Sequence, residues 1–544
     1  MNWPVPNATL GSALHVFFES VAGKIAIAII IVVLCQRMIC RPKKHNLFPV
    51  YATIEIAMAS YILRGDGLGR RIFSSIRRYG GSLFGITPTH QIIVNLPGLD
   101  RFMSQSFHTL TAVPAQYTLL ARVFGAVDSP DLEVKLEKSF KDLLAPVERL
   151  FLNDAAVTAA VEKARVEERA ASFVTFSTDP AHMKRWERAA DIRVIAPGPG
   201  KRAVVEANLQ SLARDFGACM AIPLLYGEDF LNRYQQLLED FWTFDNGLFP
   251  LLMIGVPSWA PFKAIKQGRV AQARILREIE ALYRRIDQYQ RGEDVDFGAD
   301  MSDISSAALG RNRVYARDGW SFAERAWGDF GMLWGQNANT HPLLFWLLIY
   351  VYSTPGLLAR IRAELAPHVC LSRASPPEIM STDLAALSRN CQLLKASIFE
   401  TYRLGNEPTS IRYVAKPTTL NDGGIKHKLP SGMFISAPLS LINRDPLVFA
   451  DPESFVPERF LEVDSESGKS VARYGRLQPW GTGPSMCKGR TFAEREILSL
   501  GAAIISIWDI APASGAWELP AMIPGTGVKK PKRDVRVLVS RRIL

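Results

Sequence analysis

PWGTGPSMCKGRTFAEREI, residues 479–497, decides how this chain is read. Gly481, Gly483 and Pro484 break any regular helix or strand, so the stretch begins as a loop. Cys487 closes the loop and Gly489 follows. Phe492, Ile497, Leu500, Ile504 and Ile507 then recur along a helical pattern. The pattern predicts a helix beginning after Gly489, with Cys487 just ahead of its N-terminus. The positive end of that helix and the backbone N–H groups freed by glycine both lower the pKa of a thiol placed there. Such a cysteine is either a thiolate ligand or a small buried residue after a glycine turn, and the loop alone leaves both open.

Two earlier segments share the C-terminal half with this loop. SIFETYRLG, residues 397–405, sets Glu400 and Arg403 three apart, on one face of a helix. FADPESFVPERF, residues 449–460, then supplies Pro457, Arg459 and Phe460. An exposed Glu–Arg pair is worth a few tenths of a kcal/mol. A buried one needs every charge satisfied, for which the guanidinium fork is suited. Between residues 322 and 350 runs a long apolar helix with a polar knot at Gln336, Asn337, Asn339, Thr340 and His341. Pro342 has no N–H, so the carbonyl of Ala338 loses its helical partner and the helix opens at the knot.

The rest of the chain is read for class and organisation. It has 544 residues, 48% hydrophobic and 22% charged, an ordinary globular balance with material for a large core. Net charge is +11, but no basic tract interleaved with aromatics occurs, which disfavours nucleic acid and leaves an acidic partner or a membrane surface. The six cysteines are scattered without a C-x-x-C pair, against a disulfide framework or a zinc site. Helical patterns cover residues 132–144, 204–226, 269–290, 322–352 and 384–404, while 417–452 reads as short strands and turns. The class is mainly α with small β-sheets.

Residues 25–35, IAIAIIIVVLC, are uninterruptedly apolar. Extended back through Leu10 the run reaches the roughly 20 residues that cross a bilayer, with Glu19 at an interface and Lys24 snorkelling. Arg37, Arg41, Lys43 and Lys44 follow it and predict a cytoplasmic body. Residues 1–40 are therefore expected to be an N-terminal membrane anchor, a transmembrane helix, and 41–544 a single catalytic body.

The string W-G-x-G-x-x-x-C-x-G-R, from Trp480 to Arg490, resembles the cytochrome P-450 signature F-G-x-G-x-x-x-C-x-G. The order E-x-x-R, P-x-R-F and cysteine loop matches that family too. The resemblance implies the cytochrome P-450 fold and heme b with Cys487 as thiolate ligand, in a loop with Gly481 and with Trp480 covering the sulfur. It implies a buried lock of Glu400, Arg403 and Arg459. Ser485 stands where a basic residue usually meets a haem propionate, so Arg412 in SIRYVAKP or Arg490 takes that role. The usual acid–alcohol pair on the long helix is missing. Its counterparts are Ala338 and Asn339, or Asn339 and Thr340 one position on. The string W-x-x-x-A-N-T-x-P-x-x-F-W, residues 334–346, is similar to the sterol 7α-hydroxylase and prostacyclin synthase branch.

These resemblances imply a monooxygenase acting on a lipophilic terpenoid, steroid or polyketide in fungal secondary metabolism. Electrons would come from NADPH through NADPH-cytochrome P-450 reductase, at the endoplasmic reticulum membrane. The alternative is a reductase-independent isomerase or dehydratase on the same scaffold, which the missing acid leaves open.

Overall fold

Long amphipathic and apolar helices dominate the computed structural model, which describes residues 82–87, 89–94, 96–195 and 202–544. The anchor expected in residues 1–40 lies outside them. Among the described residues no single helix is long and apolar enough to cross a membrane.

Seven helices frame the core. Helix α1 (Pro130–Phe151) starts on Ser129, whose hydroxyl accepts from the Leu132 N–H. Helix α2 (Leu209–Tyr226) is buried along most of its length. Helix α3 (Lys263–Arg291) is long and amphipathic, with Ile275, Ile279, Leu282 and Ile286 turned inward at three- and four-residue steps. The apolar stretch beginning at Phe322 is two helices, α4 (Phe322–Asn337) and α5 (Thr340–Ser353). A capping box of Ser321 and Glu324 starts α4. Helix α6 (Gln392–Gly405) carries Glu400 and Arg403, and α7 (Arg490–Ile507) follows the cysteine loop.

The break between α4 and α5 falls at Ala338 and Asn339, as the proline predicts. Pro342 thereby lies in the first turn of α5, where a missing N–H costs nothing. Two expected helices are divided. Residues 204–208 form a strand, Val204–Asn208, before α2, because it pairs with Arg536–Arg541 and Arg193–Ile195. The pattern over 384–404 is split at Cys391 into Leu384–Asn390 and α6.

Strands form small sheets at the margin of the helical core. The largest contains β1 (Leu83–Thr87), β2 (His90–Ile93), β3 (Leu110–Thr111), β4 (Thr409–Val414) and β5 (Phe434–Pro438), in the order β1-β2-β5-β4-β3. Strand β5 runs parallel to β2 and antiparallel to β4, with Ile435 opposite Arg412. That register places Arg412 on a central strand next to the cysteine loop.

Helix α5 is buried from Thr340 to Val351 and packs against α2, α6 and α7. One close approach depends on a missing side chain. A Cβ on Gly217 of α2 would lie 2.6 Å from Cδ2 of His341, so glycine lets α2 approach α5.

Candidate functional site

Cys487 sits between the loop and the first turn of α7. Its N–H donates to the Trp480 carbonyl at 2.9 Å, which closes the loop. Gly481 (φ 80°) and Gly483 (φ 72°) take left-handed conformations. A Cβ on Gly483 would come 2.6 Å from the Met103 carbonyl oxygen, so the loop rests directly on the helix Leu99–Met103. The Thr482 N–H donates to Ser410 Oγ at 2.9 Å, and its hydroxyl bonds Asp100. Ser410, Asp100 and Met103 thus fix the loop from outside the motif. Their side chains match no local pattern, and sequence reasoning missed them.

The Cys487 side chain is accessible, yet protein crowds its thiol. The expectation of a lowered thiol pKa is not met as stated. Burial raises it and is the largest effect; the Gly489 N–H and the charges of Arg490 and Lys488 pull it down by less. Binding to a metal ion deprotonates a thiol outright, whatever its free pKa.

Arg412 is buried, 3% exposed, and burial pushes its pKa down. It donates to the Thr482 carbonyl at 2.8 Å and to that of Ile411 at 2.9 Å. Among the described residues no carboxylate pairs with it. A buried cation without a counter-ion is costly, so the site calls for an anionic group beside Cys487. Arg490 is turned the other way and caps the Cys487 carbonyl at 3.0 Å on the exposed side. Of the two arginines considered for a propionate, the geometry suits Arg412. An accessible thiol and a buried guanidinium that bonds the same loop and pairs with no carboxylate among the described residues fit a haem.

The open face of α4 is marked by Gly335 in its last turn, which is exposed, with no atom within 4 Å of where its Cβ would stand. Asn339, one turn on, shares that face, and its Nδ2 donates to the Gly335 carbonyl at 3.3 Å. A Cβ on Gly527 would meet Asn339 Oδ1, so the C-terminal chain passes over this amide. Ala338 and Thr340 are buried. His341 is buried too and pairs with Glu496 of α7 at 3.2 Å. That contact and the one with Gly217 make it a core histidine.

An aromatic cluster packs along this helix. Trp334 stacks on Phe249 at 4.9 Å, and Phe124 meets Phe330 edge-on at 5.4 Å. The buried Asp245 carboxylate fixes Trp334. It accepts from the indole N–H at 3.0 Å, the Thr526 hydroxyl at 2.5 Å and Lys530 at 3.3 Å. Nothing in the sequence near Asp245 signals that role.

The structure brings Glu400, Arg403 and Arg459 together. Arg403 grips Glu400 with two nitrogens at 2.6 and 2.7 Å, and Arg459 reaches it at 3.1 Å. The rest of the Arg403 fork donates to the carbonyls of Asn443, Pro452 and Ser454. The lock thus ties α6 to the segment that leads to the cysteine loop.

Residues 330–537 match the family model described as Cytochrome P450. A cytochrome P450 monooxygenase of Gibberella zeae is 28% identical over 329 residues, covering 59% of this chain and 59% of that protein. A human 7-alpha-hydroxycholest-4-en-3-one 12-alpha-hydroxylase is 29% identical over 220 residues, 38% of this chain and 43% of the relative. The alignments with these two therefore span less than two thirds of each relative. Retinoic acid bound cyanobacterial CYP120A1 shares the fold, with a TM-score of 0.59 at 17% identity over 89% of this chain and 96% of that one.

Proposed function

For a chain that carries a cytochrome P450 domain, we propose the activity of a haem-thiolate monooxygenase with Cys487 as the iron ligand. The observation that carries it is the buried Arg412, which donates to the Thr482 carbonyl of the cysteine loop and pairs with no carboxylate among the described residues. When bound, haem would supply an iron at which dioxygen, two electrons and two protons give one oxygen atom to the substrate and one to water.

The chain's own residues do the remainder. Cys487 would hold the iron and donate electron density to it through sulfur, and Arg412 would bind the anionic edge of the cofactor. The Glu400–Arg403–Arg459 lock holds the segment behind the loop. Asn339 orients polar groups at the open face through its amide, which carries no titratable proton.

The substrate is a terpenoid, steroid or polyketide in fungal secondary metabolism. The fungal and sterol-oxidising relatives support that class. NADPH-cytochrome P450 reductase supplies the electrons, and the basic net charge of +11 suits an acidic partner. Residues 1–40 anchor the body, 41–544, at the endoplasmic reticulum with the catalytic side in the cytoplasm.

The missing acid at Ala338–Asn339 favours a second reading, a reductase-independent isomerase or dehydratase. The reduced, carbon-monoxide-bound protein is expected to show the red-shifted Soret band of thiolate ligation and Cys487→Ser to lose it. Persistence of the band in Cys487→Ser would overturn the assignment. Turnover of a lipophilic panel without NADPH would select the second reading.

A further inference from the structure

Asp245 sits in the π turn Phe244–Leu248, which is one residue wider than an α-helical turn. Turns of this kind recur at functional sites. Asp245 is 1% exposed, and both of its carboxylate oxygens are engaged. Oδ1 accepts from the Trp334 indole and the Thr526 hydroxyl. Oδ2 faces Lys530 Nζ at 3.3 Å, and Lys530 also bonds the Asn246 amide oxygen. One carboxylate thus ties α4 to residues 526 and 530.

Thr526 and Lys530 belong to a hairpin in which Met522–Ile523 pairs with Lys530–Pro531. Its loop, residues 524–529, is fastened on two sides. Asp245 holds one side through the side chains of Thr526 and Lys530. Backbone bonds hold the other. The Glu407 N–H donates to the Gly527 carbonyl at 2.9 Å, and the Lys529 N–H to that of Gly405 at 2.8 Å. Asn406, between these two, donates from its side chain to the Pro479 carbonyl at 3.0 Å, where the cysteine loop begins. Residues 405–407 therefore carry both the hairpin loop and the start of the cysteine loop. Between its fastenings the hairpin loop lies on Asn339, so closely that a Cβ on Gly527 would overlap Asn339 Oδ1. Gly335 and Asn339 mark the open face of α4, and Trp334 adjoins Gly335. Asp245 accordingly holds two borders of that face, the indole and the hairpin loop.

We propose that Asp245 is a positioning residue that sets the width of the open face of α4, and so the girth of ligand that reaches iron held by Cys487. The inference rests on the haem-thiolate reading. The ion pair and the hydroxyl bond press the loop down on Asn339. Both are side-chain bonds and can be released while the backbone bonds to residues 405–407 persist. Released on that side, the loop lifts from Asn339 and the face widens.

The test uses two probes that bind ferric haem iron through nitrogen, imidazole and the bulkier 4-phenylimidazole. Each is titrated by its Soret shift into the haem-loaded full-length protein. Asp245→Asn keeps an oxygen for the indole and the Thr526 hydroxyl but turns an N–H toward Lys530. It is expected to leave the imidazole Kd unchanged and to lower the 4-phenylimidazole Kd about tenfold, the low end of what room for one methylene is worth in an apolar site. Thr526→Val and Lys530→Met leave the bond to Trp334 in place and should move the ratio of the two Kd values the same way, by less. A carboxylate with a purely structural role would lower the thermal midpoint and leave that ratio constant. A constant ratio therefore overturns the proposal, as does one that moves in favour of imidazole. If Asp245→Asn fails to retain haem, the other two variants decide, and no shift in either overturns the proposal as well. The carbon-monoxide spectrum of the wild-type protein separates the failures. Without the red-shifted band the thiolate reading itself fails; with the band and a constant ratio, only this inference does.

Discussion

Replacing Arg403 by lysine should unsettle the protein far more than removing Arg459, although both arginines bond the same glutamate. Arg403 is 1% exposed and makes five hydrogen bonds, two to Glu400 and three to the carbonyls of Asn443, Pro452 and Ser454. Its guanidinium also lies 5.3 Å from the Phe449 ring centre. Lysine keeps the charge but gathers its donors at one point, so it can serve Glu400 or the carbonyls and not both. Loss of two charge-assisted hydrogen bonds at about 1.5–3 kcal/mol each gives a cost of roughly 3–6 kcal/mol. That is comparable with the whole net stability of many proteins, about 5–15 kcal/mol.

Arg459 is different. It reaches Glu400 with one nitrogen, and its remaining bonds, to Ala450 and Asp451, lie on the exposed side where water can replace them. Arg459→Ala, which loses one charge-assisted hydrogen bond to Glu400, should cost about 1.5–3 kcal/mol. The assay is the urea midpoint of tryptophan fluorescence for both variants, compared at the wild-type slope. The reasoning fails if Arg403→Lys lies within about 1 kcal/mol of wild type, or if Arg459→Ala costs as much as Arg403→Lys.

Arg412→Met should lower haem affinity about 10- to 100-fold, the worth of one charge-assisted hydrogen bond, while the haem-free protein is no less stable because an unpaired buried charge is gone; equal haem loss rates in both proteins would contradict this. Gly217→Ala puts a methyl 2.6 Å from His341 Cδ2 and should destabilise by about 1–3 kcal/mol, seen as an earlier thermal midpoint. Asp318 is held well below the ordinary carboxylate range, chiefly by its hydrogen bond from Arg317, with Lys138 and Ser139 adding to it. A depressed folded-state pKa gives stability that is present above the unfolded value and lost as pH falls through the folded one. The stability gap between wild type and Asp318→Asn should therefore be full at neutral pH and close on acidification; a gap that widened in acid would refute the sign.

Much of this architecture is written locally. The turn glycines, Cys487 and the helix from Arg490 to Ile507 follow from residue types within one short stretch. Pro342 dictates the break at Ala338–Asn339, since a proline is tolerated only where no helical N–H is required. Glu400 and Arg403 meet because helical geometry puts residues three apart on one face. Other features have no local signature. Val204–Asn208 carries a pattern continuous with the helix that follows, and it becomes strand only because Arg536–Arg541 arrives from more than 300 residues away to pair with it. Asp245 looks like any polar residue until Trp334, Thr526 and Lys530 converge on it.

The site divides in the same way. From the sequence came the thiol and its loop, and from its resemblance to the cytochrome P-450 signature the lock residues and two arginines for one anionic partner. Which arginine is suited to that partner was decided by a sheet register and by burial, since a charge without a counter-ion is costly only once water has been excluded from it. Burial also turns the Cys487 pKa upward, because desolvation outweighs the local pull of Gly489, Arg490 and Lys488. Short-range spacing sets which groups share a turn or a helix face; only the packed chain sets how much water each retains, and so its charge.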